Sequence, residues 1–104
     1  MHTIFRNDLE DKVDMLLYIG RDEAERGRSG FNVDFELELT KRYDAYRFLV
    51  KNDFIKVAKE ERVSDSEHSV IFVECNLTEK GKNAYETLEA FYKCMVESMI
   101  PYLA

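Results

Sequence analysis

The stretch from residue 47 to residue 82, RFLVKNDFIKVAKEERVSDSEHSVIFVECNLTEKGK, constrains the fold more than any other part of the chain. A helical apolar stripe ends at Asn52-Asp53, and FIKVAK (54–59) then reads as a strand. The polar run EERVSDSEHS (60–69) reads as a loop and VIFVECN (70–76) as the returning strand. Leu77 and Thr78 lead into a last helix, with Thr78 as its N-cap. A hairpin with helices on both sides must bury its apolar face against them, which makes this an α+β chain.

With 104 residues there is room for one core and one domain, residues 1–104. The thirteen Phe and Tyr residues suffice for a compact but small interior, of the kind that dimerisation often extends. The N-terminal MHTIFRNDLEDK gains charge too early for a signal peptide, and the longest uncharged apolar run, residues 15–20, is too short to cross a bilayer. Cys75 and Cys94 match no metal spacing and read as buried thiols in a reducing compartment. The expectation is a cytoplasmic protein with no membrane association.

Net charge is −6, yet it is unevenly spread. Residues 1–39 carry −5 and residues 63–104 carry −4, whereas residues 40–62 carry +3 through Lys41, Arg42, Arg47, Lys51, Lys56, Lys59 and Arg62. The basic part coincides with the middle helix and the first hairpin strand, an asymmetry that points to an anionic partner.

Residues 8–27 read as an amphipathic helix with Leu9, Val13, Leu16, Leu17 and Ala24 inward, Asn7 or Asp8 as N-cap, and Gly27 and Gly30 as the stop. RGRSG is then a flexible connection. FNVDFELEL (31–39) alternates at period 2, so a strand fits best, although Phe31, Phe35 and Leu39 also allow a short helix. Residues 40–52 form a helix capped by Thr40, with Tyr43, Tyr46, Leu49 and Val50 as its stripe. The last helix, roughly 79–99, places Ala84, Leu88, Phe91, Tyr92, Met95 and Met99 on one face, extended by Tyr85 and Ile100, and Pro101 ends it.

The segments FLVKNDFIKV and NLTEKGK, in that order and at that spacing, resemble the end of a recognition helix and the return strand with helix start of winged-helix regulators of the MarR and PadR type and their phage and plasmid relatives. The resemblance covers residues 47–82. It implies an α+β winged helix: helix, short strand or helix, recognition helix, two-stranded wing, long C-terminal helix. The chain departs from the pattern twice. Only residues 31–52 are available for the two short helices of a helix-turn-helix, and Asp53 stands where Gly is usual.

The function this implies is sequence-specific binding of double-stranded DNA by a homodimeric transcriptional regulator without a cofactor. Lys41, Arg42, Tyr43 and Arg47 would face the major groove, with Lys51 on the same helix, and Lys59, Arg62 and His68 would follow the backbone from the wing. Leu88, Phe91, Tyr92, Met95 and Met99 are the expected dimer anchors, on an isologous antiparallel interface. Acidic residues of the wing tip (Glu60, Glu61, Asp65, Glu67) would be repelled by phosphate and leave two alternatives. One is a protein-interaction module, such as an antirepressor or adaptor, that uses acidic surfaces; the other is a partition protein that binds clustered sites. No nucleophile elbow, phosphate-cradling glycine loop or metal-ligand spacing is present, and an enzyme is not expected.

Overall fold

Alternation along VIFVECNL decides how the sheet is built. In the computed structural model, residues 2–34, 41–64 and 69–103 are described, and they form α1 (His2–Arg26), β1 (Ser29–Asp34), α2 (Lys41–Lys51), β2 (Ile55–Ser64), β3 (Ser69–Leu77) and α3 (Glu79–Leu103). The strands make one antiparallel sheet in the order β1-β3-β2. Ile71, Val73, Cys75 and Leu77 of the central strand are all buried on one face, because successive side chains of a strand point to opposite sides. Phe31 and Val33 of β1 and Ile55 of β2 join them, and Met15, Leu16, Ile19, Ala45, Tyr46 and Leu49 close the core from α1 and α2. The architecture is α+β, with three helices and a three-stranded antiparallel sheet among the described residues.

Two carboxylates near the end of α1 fasten it to the sheet. Asp22 accepts hydrogen bonds from Arg26 at 2.6 and 2.7 Å, from Ser29 Oγ at 2.9 Å and from the Gly30 N–H at 3.0 Å. Glu23 accepts from the Leu77 N–H at 2.7 Å and from Asn76 Nδ2 at 3.1 Å. Gly27, at φ +82°, closes α1 with its N–H on the Glu23 carbonyl at 2.7 Å. The Arg26 guanidinium, ahead of the Gly30 and Ser29 donors, lowers the Asp22 pKa to about 2.

The C-terminus of α2 is a Schellman turn. The Phe54 N–H bonds the Leu49 carbonyl at 2.9 Å and the Asp53 N–H bonds that of Val50 at 3.2 Å, with Asp53 left-handed at φ +64°. Asp is among the few non-glycine residues that tolerate this region, which is how Asp53 stands where Gly is usual. The start of α3 then locks onto the turn. Thr78 caps α3 by accepting the Gly81 N–H at 3.0 Å, donates its hydroxyl to the Asp53 carbonyl at 2.6 Å, and gives its own N–H to the Phe54 carbonyl at 3.1 Å. Lys80 Nζ reaches the Asn52 carbonyl at 2.8 Å and lies 4.5 Å from the centre of the Phe54 ring. A Cβ on Gly81 would fall well inside 3.0 Å of the Phe54 carbonyl oxygen, so the glycine of LTEKGK is what lets the two backbones meet.

Several expectations are corrected. α1 begins at His2, so neither Asn7 nor Asp8 caps it, and its Leu9 and Ala24 are exposed rather than inward. Ser29 and Gly30 belong to β1, not to a flexible connection, because Asp22 pins them. Residues 31–34 are strand; residues 35–39 and Thr40 lie outside the described residues. The hairpin is longer than expected: β2 runs to Ser64 and β3 starts at Ser69, so Glu60 and Glu61 stand in a strand. Its charged residues are those of a sheet edge, which repels further pairing. Asp65, Glu67 and His68 lie outside the described residues. Pro101 does not end α3, which continues to Leu103; the proline ring costs a helical bond only in the final turn. Cys75 is buried as expected, but Cys94 is exposed.

Replacing Asp53 by Gly relieves the left-handed conformation and should raise stability by about 1 kcal/mol in urea unfolding. Gly81→Ala, by contrast, should lower it by several times that amount, since backbone must move to admit the methyl group. A second expectation concerns Asp22. Its depressed pKa contributes about 2 kcal/mol above the ordinary carboxylate range, and this contribution fades as pH falls from about 4 to about 2. Asp22→Asn should therefore destabilise the protein at neutral pH, with the difference from wild type shrinking over that acid window in pH-resolved denaturation curves.

Candidate nucleic-acid interface

One irregularity in the sheet decides which basic residues share a surface. β2 pairs with β3 in regular register from Ile55 to Val57, but the next pair is Lys59 with Glu74, leaving Ala58 as the extra residue of a bulge. Because side chains alternate, one inserted residue exchanges the two faces for all that follow. Glu60 then stands opposite Val73 and Arg62 opposite Ile71, on the side that meets α2. Lys59, opposite Glu74, and Glu61, opposite Phe72, take the other side.

The swap brings α2 and β2 together around a cleft of about 240 Å³ lined by Tyr43, Tyr46, Arg47, Val50, Val57, Glu60, Arg62 and Ile71. Tyr46 is buried and donates its hydroxyl to Glu60 Oε1. Burial, and after it the Glu60 carboxylate, raise the Tyr46 pKa far above its usual value, so the hydroxyl remains a donor at any working pH. The Arg47 guanidinium donates to the Tyr43 hydroxyl at 2.8 Å and lies 5.6 Å from the centre of its ring, which orients an otherwise mobile side chain along the cleft rim.

The residues expected at a nucleic-acid surface are thus divided. Tyr43, Arg47 and Arg62 line one cleft. Arg42 and Lys51 are exposed near the two ends of α2, and Arg42 lines a separate cleft with Asp11 and Asp14 of α1. Lys41 is the first residue of α2. Lys59 faces the opposite side of the sheet, in a hollow with Arg26, Asn32, Glu61, Phe72 and Glu74. His68 lies outside the described residues. Sequence reasoning missed Glu60, the contact between helix and hairpin, because a carboxylate amid EERVS reads as solvated loop.

The expected dimer residues fall into two groups. Leu88 is half-buried against the core with Ala84 and Tyr85, while Phe91, Tyr92, Met95 and Met99 are exposed on the half of α3 that runs past the body. Cys75, the nucleophile nearest the core, is inert: burial, and secondarily Glu23 and Asp22, push its thiol up to about 12. Among the described residues no group of three or more His, Cys, Asp or Glu is placed to hold a metal ion, and no helix is long and apolar enough to cross a membrane. Comparison with known proteins finds no matching family model, no matching curated protein and no matching solved structure.

If the Tyr46 hydroxyl and Glu60 carboxylate join α2 to the hairpin as a pair, their removal is not additive. Tyr46→Phe should cost about 1 to 2 kcal/mol, as for hydrogen bonds to a charged group. Glu60→Gln made in the Tyr46→Phe background should cost distinctly less than in wild type. Equal costs in both backgrounds, measured by a double-mutant cycle in urea, would dissolve the pair.

Proposed function

We propose that the chain is a winged-helix protein that binds double-stranded DNA as a homodimer and acts as a transcriptional regulator, with α2 as recognition helix and the β2–β3 hairpin as wing. The observation that carries the reading is the cleft in which Tyr43 and Arg47 of α2 meet Arg62 of β2. Supporting it are the sheet order β1-β3-β2 and the order helix, strand, helix, hairpin, long helix, which is similar to a winged helix but has one described helix between β1 and the hairpin where the pattern has two, and the +3 charge of residues 40–62 within an acidic chain. On this reading Lys41, Arg42 and Arg47 approach base edges and phosphates in the major groove, and Arg62 holds the flanking backbone. Lys59 and the outer face of the sheet play no part. The reading rests on site chemistry as well as fold, since one fold serves many functions.

A second reading is favoured by the carboxylates beside the head of α2. Asp11 and Asp14 line the cleft that Arg42 occupies, and they would resist phosphate there. An adaptor or antirepressor that docks a basic protein partner on this flank needs no duplex contact.

Selection of bound sequences from a random duplex pool by purified protein, followed by titration of the enriched duplex at two salt concentrations, separates the two. DNA binding should weaken steeply as salt rises, through counterion release. Arg42→Ala combined with Arg47→Ala should weaken it at least tenfold at matched salt, since each lost contact is worth about 1 to 3 kcal/mol, with the oligomeric state unchanged. No binding by wild type at low salt would overturn the DNA reading in favour of the adaptor, and unchanged binding by the double variant would remove α2 from the interface.

A further inference from the structure

α3 carries one apolar stripe along its whole length but covers only half of it. Ala84 and Leu88 pack on the core, whereas Phe91, Met95 and Met99 continue the same face at helical spacing and, among the described residues, are exposed and outside the core. Phe91 is 64% exposed, and from Phe91 to Ile100 every residue of the helix is exposed. Beside the covered half lies an apolar groove of about 510 Å³ between α1, α2 and α3, its walls formed chiefly by Leu9, Leu16, Phe48, Phe54 and Leu88. Leu9, 55% exposed, stands at its mouth. A ridge and a groove of matching apolar chemistry therefore occur on one chain, joined end to end along α3.

We propose that the occupant of the groove is the α3 tail of a second copy, exchanged reciprocally, so that each tail seats beneath the partner's α2. This deepens, and rests on, the dimeric part of the reading above. Two antiparallel α3 helices related by a two-fold axis near Phe91 and Tyr92 place Met95 against the partner's Leu88 and Met99 against the partner's Ala84. The same operation lays both tails into both grooves, which is what an isologous interface requires. The area is adequate. Phe91, Tyr92, Met95, Val96, Met99 and Ile100 each leave about half their surface open. At roughly 100 Å² apiece, a pair of tails would bury about 1,200 Å², the lower bound for a stable interface before the groove walls are added. Because Phe48 and Leu49 of α2 line the groove, the seated tail supports the helix assigned to DNA, and dimer formation and recognition-helix position become linked.

The test uses the full chain without DNA, so it fails or succeeds independently of duplex binding. Light scattering should give a dimer for wild type, and for both Leu9→Glu and Met95→Glu a monomer that retains its circular dichroism, since each replaces an exposed side chain on a different partner surface. In a Cys94→Ser background, Phe91→Cys should give a disulfide-linked dimer under mild oxidation, whereas Lys93→Cys, on the opposite side of α3, should not. A monomeric wild type, or a dimer that Leu9→Glu leaves intact, would overturn the proposal and leave the groove to another occupant. Equal crosslinking at positions 91 and 93 would overturn the antiparallel register.

Discussion

The carbonyl of Phe54 is the point at which four elements meet. It ends the turn that closes α2, opens β2, receives the N–H of the residue after β3, and lies against the glycine in the first turn of α3. Thr78 and Lys80 add bonds to the two preceding carbonyls, so three successive carbonyls, those of Asn52, Asp53 and Phe54, are all satisfied by one tripeptide region of the chain. Helix termini leave carbonyls that need partners: the Schellman turn satisfies those of Leu49 and Val50, and the start of α3 satisfies the three carbonyls that follow the helix. The direction of α2 relative to the hairpin is therefore set from one end by this junction and from the other side by the Tyr46–Glu60 contact. The cleft between them is held by bonds at both ends, and is not simply a gap between neighbouring elements.

Much of this was legible in the sequence because it depends on local pattern. The alternation of VIFVECN marks a half-buried strand, Thr78 followed by a helical stripe marks an N-cap, and Asn52-Asp53 marks the end of an apolar helix. What the sequence conceals is non-local. No glycine announces the bulge at Ala58, and without the bulge Lys59 and Glu61 would share the face of Ile55 and Val57, with Glu60 and Arg62 turned away from α2. The inserted residue reverses the two sets, which only the pairing of Lys59 with Glu74 reveals. EERVS reads as loop because its charges suit water equally well on an exposed edge strand, and only the ladder to β3 distinguishes the two. The early start of α1 is hidden for another reason: its first turn carries no acidic residue, and Asn7-Asp8 further on reads as a cap.

The net acidic charge of the chain is not the field that a local contact meets. Arg21 and Arg26 lie directly on Glu89 and Asp22 and present dipoles, whereas Glu23 and Glu60, bonded to neutral donors, keep their charge. At physiological salt charges beyond about 8 Å are largely screened. What a duplex approaching α2 would meet is local: Arg42, Arg47 and Lys51, tempered by Asp11 and Asp14 beside the first of them. A modest positive field with nearby carboxylates disfavours tight non-specific binding. On the DNA reading, discrimination between sequences would then rest on a few directed contacts and on the presence of two copies.

The exposed half of α3 bears on why two copies are needed. An isolated helix of this length is marginal in water, because nucleation is costly and most helical stability in proteins comes from packing an apolar face. Beyond Glu89, whose carboxylate is gripped by Arg21 at 3.0 Å and by the Tyr85 hydroxyl at 2.9 Å, the Arg21 guanidinium also lies over the Tyr92 ring at 5.5 Å. From there to Ile100 every side chain is exposed, among them Met95, Val96, Met99 and Ile100, residues whose exposure water penalises. Side chains of that kind on one continuous face favour association over fraying, and methionine in particular adapts its shape to an irregular groove. The arginine–glutamate clasp thus marks the boundary at which α3 passes from serving its own core to offering a surface.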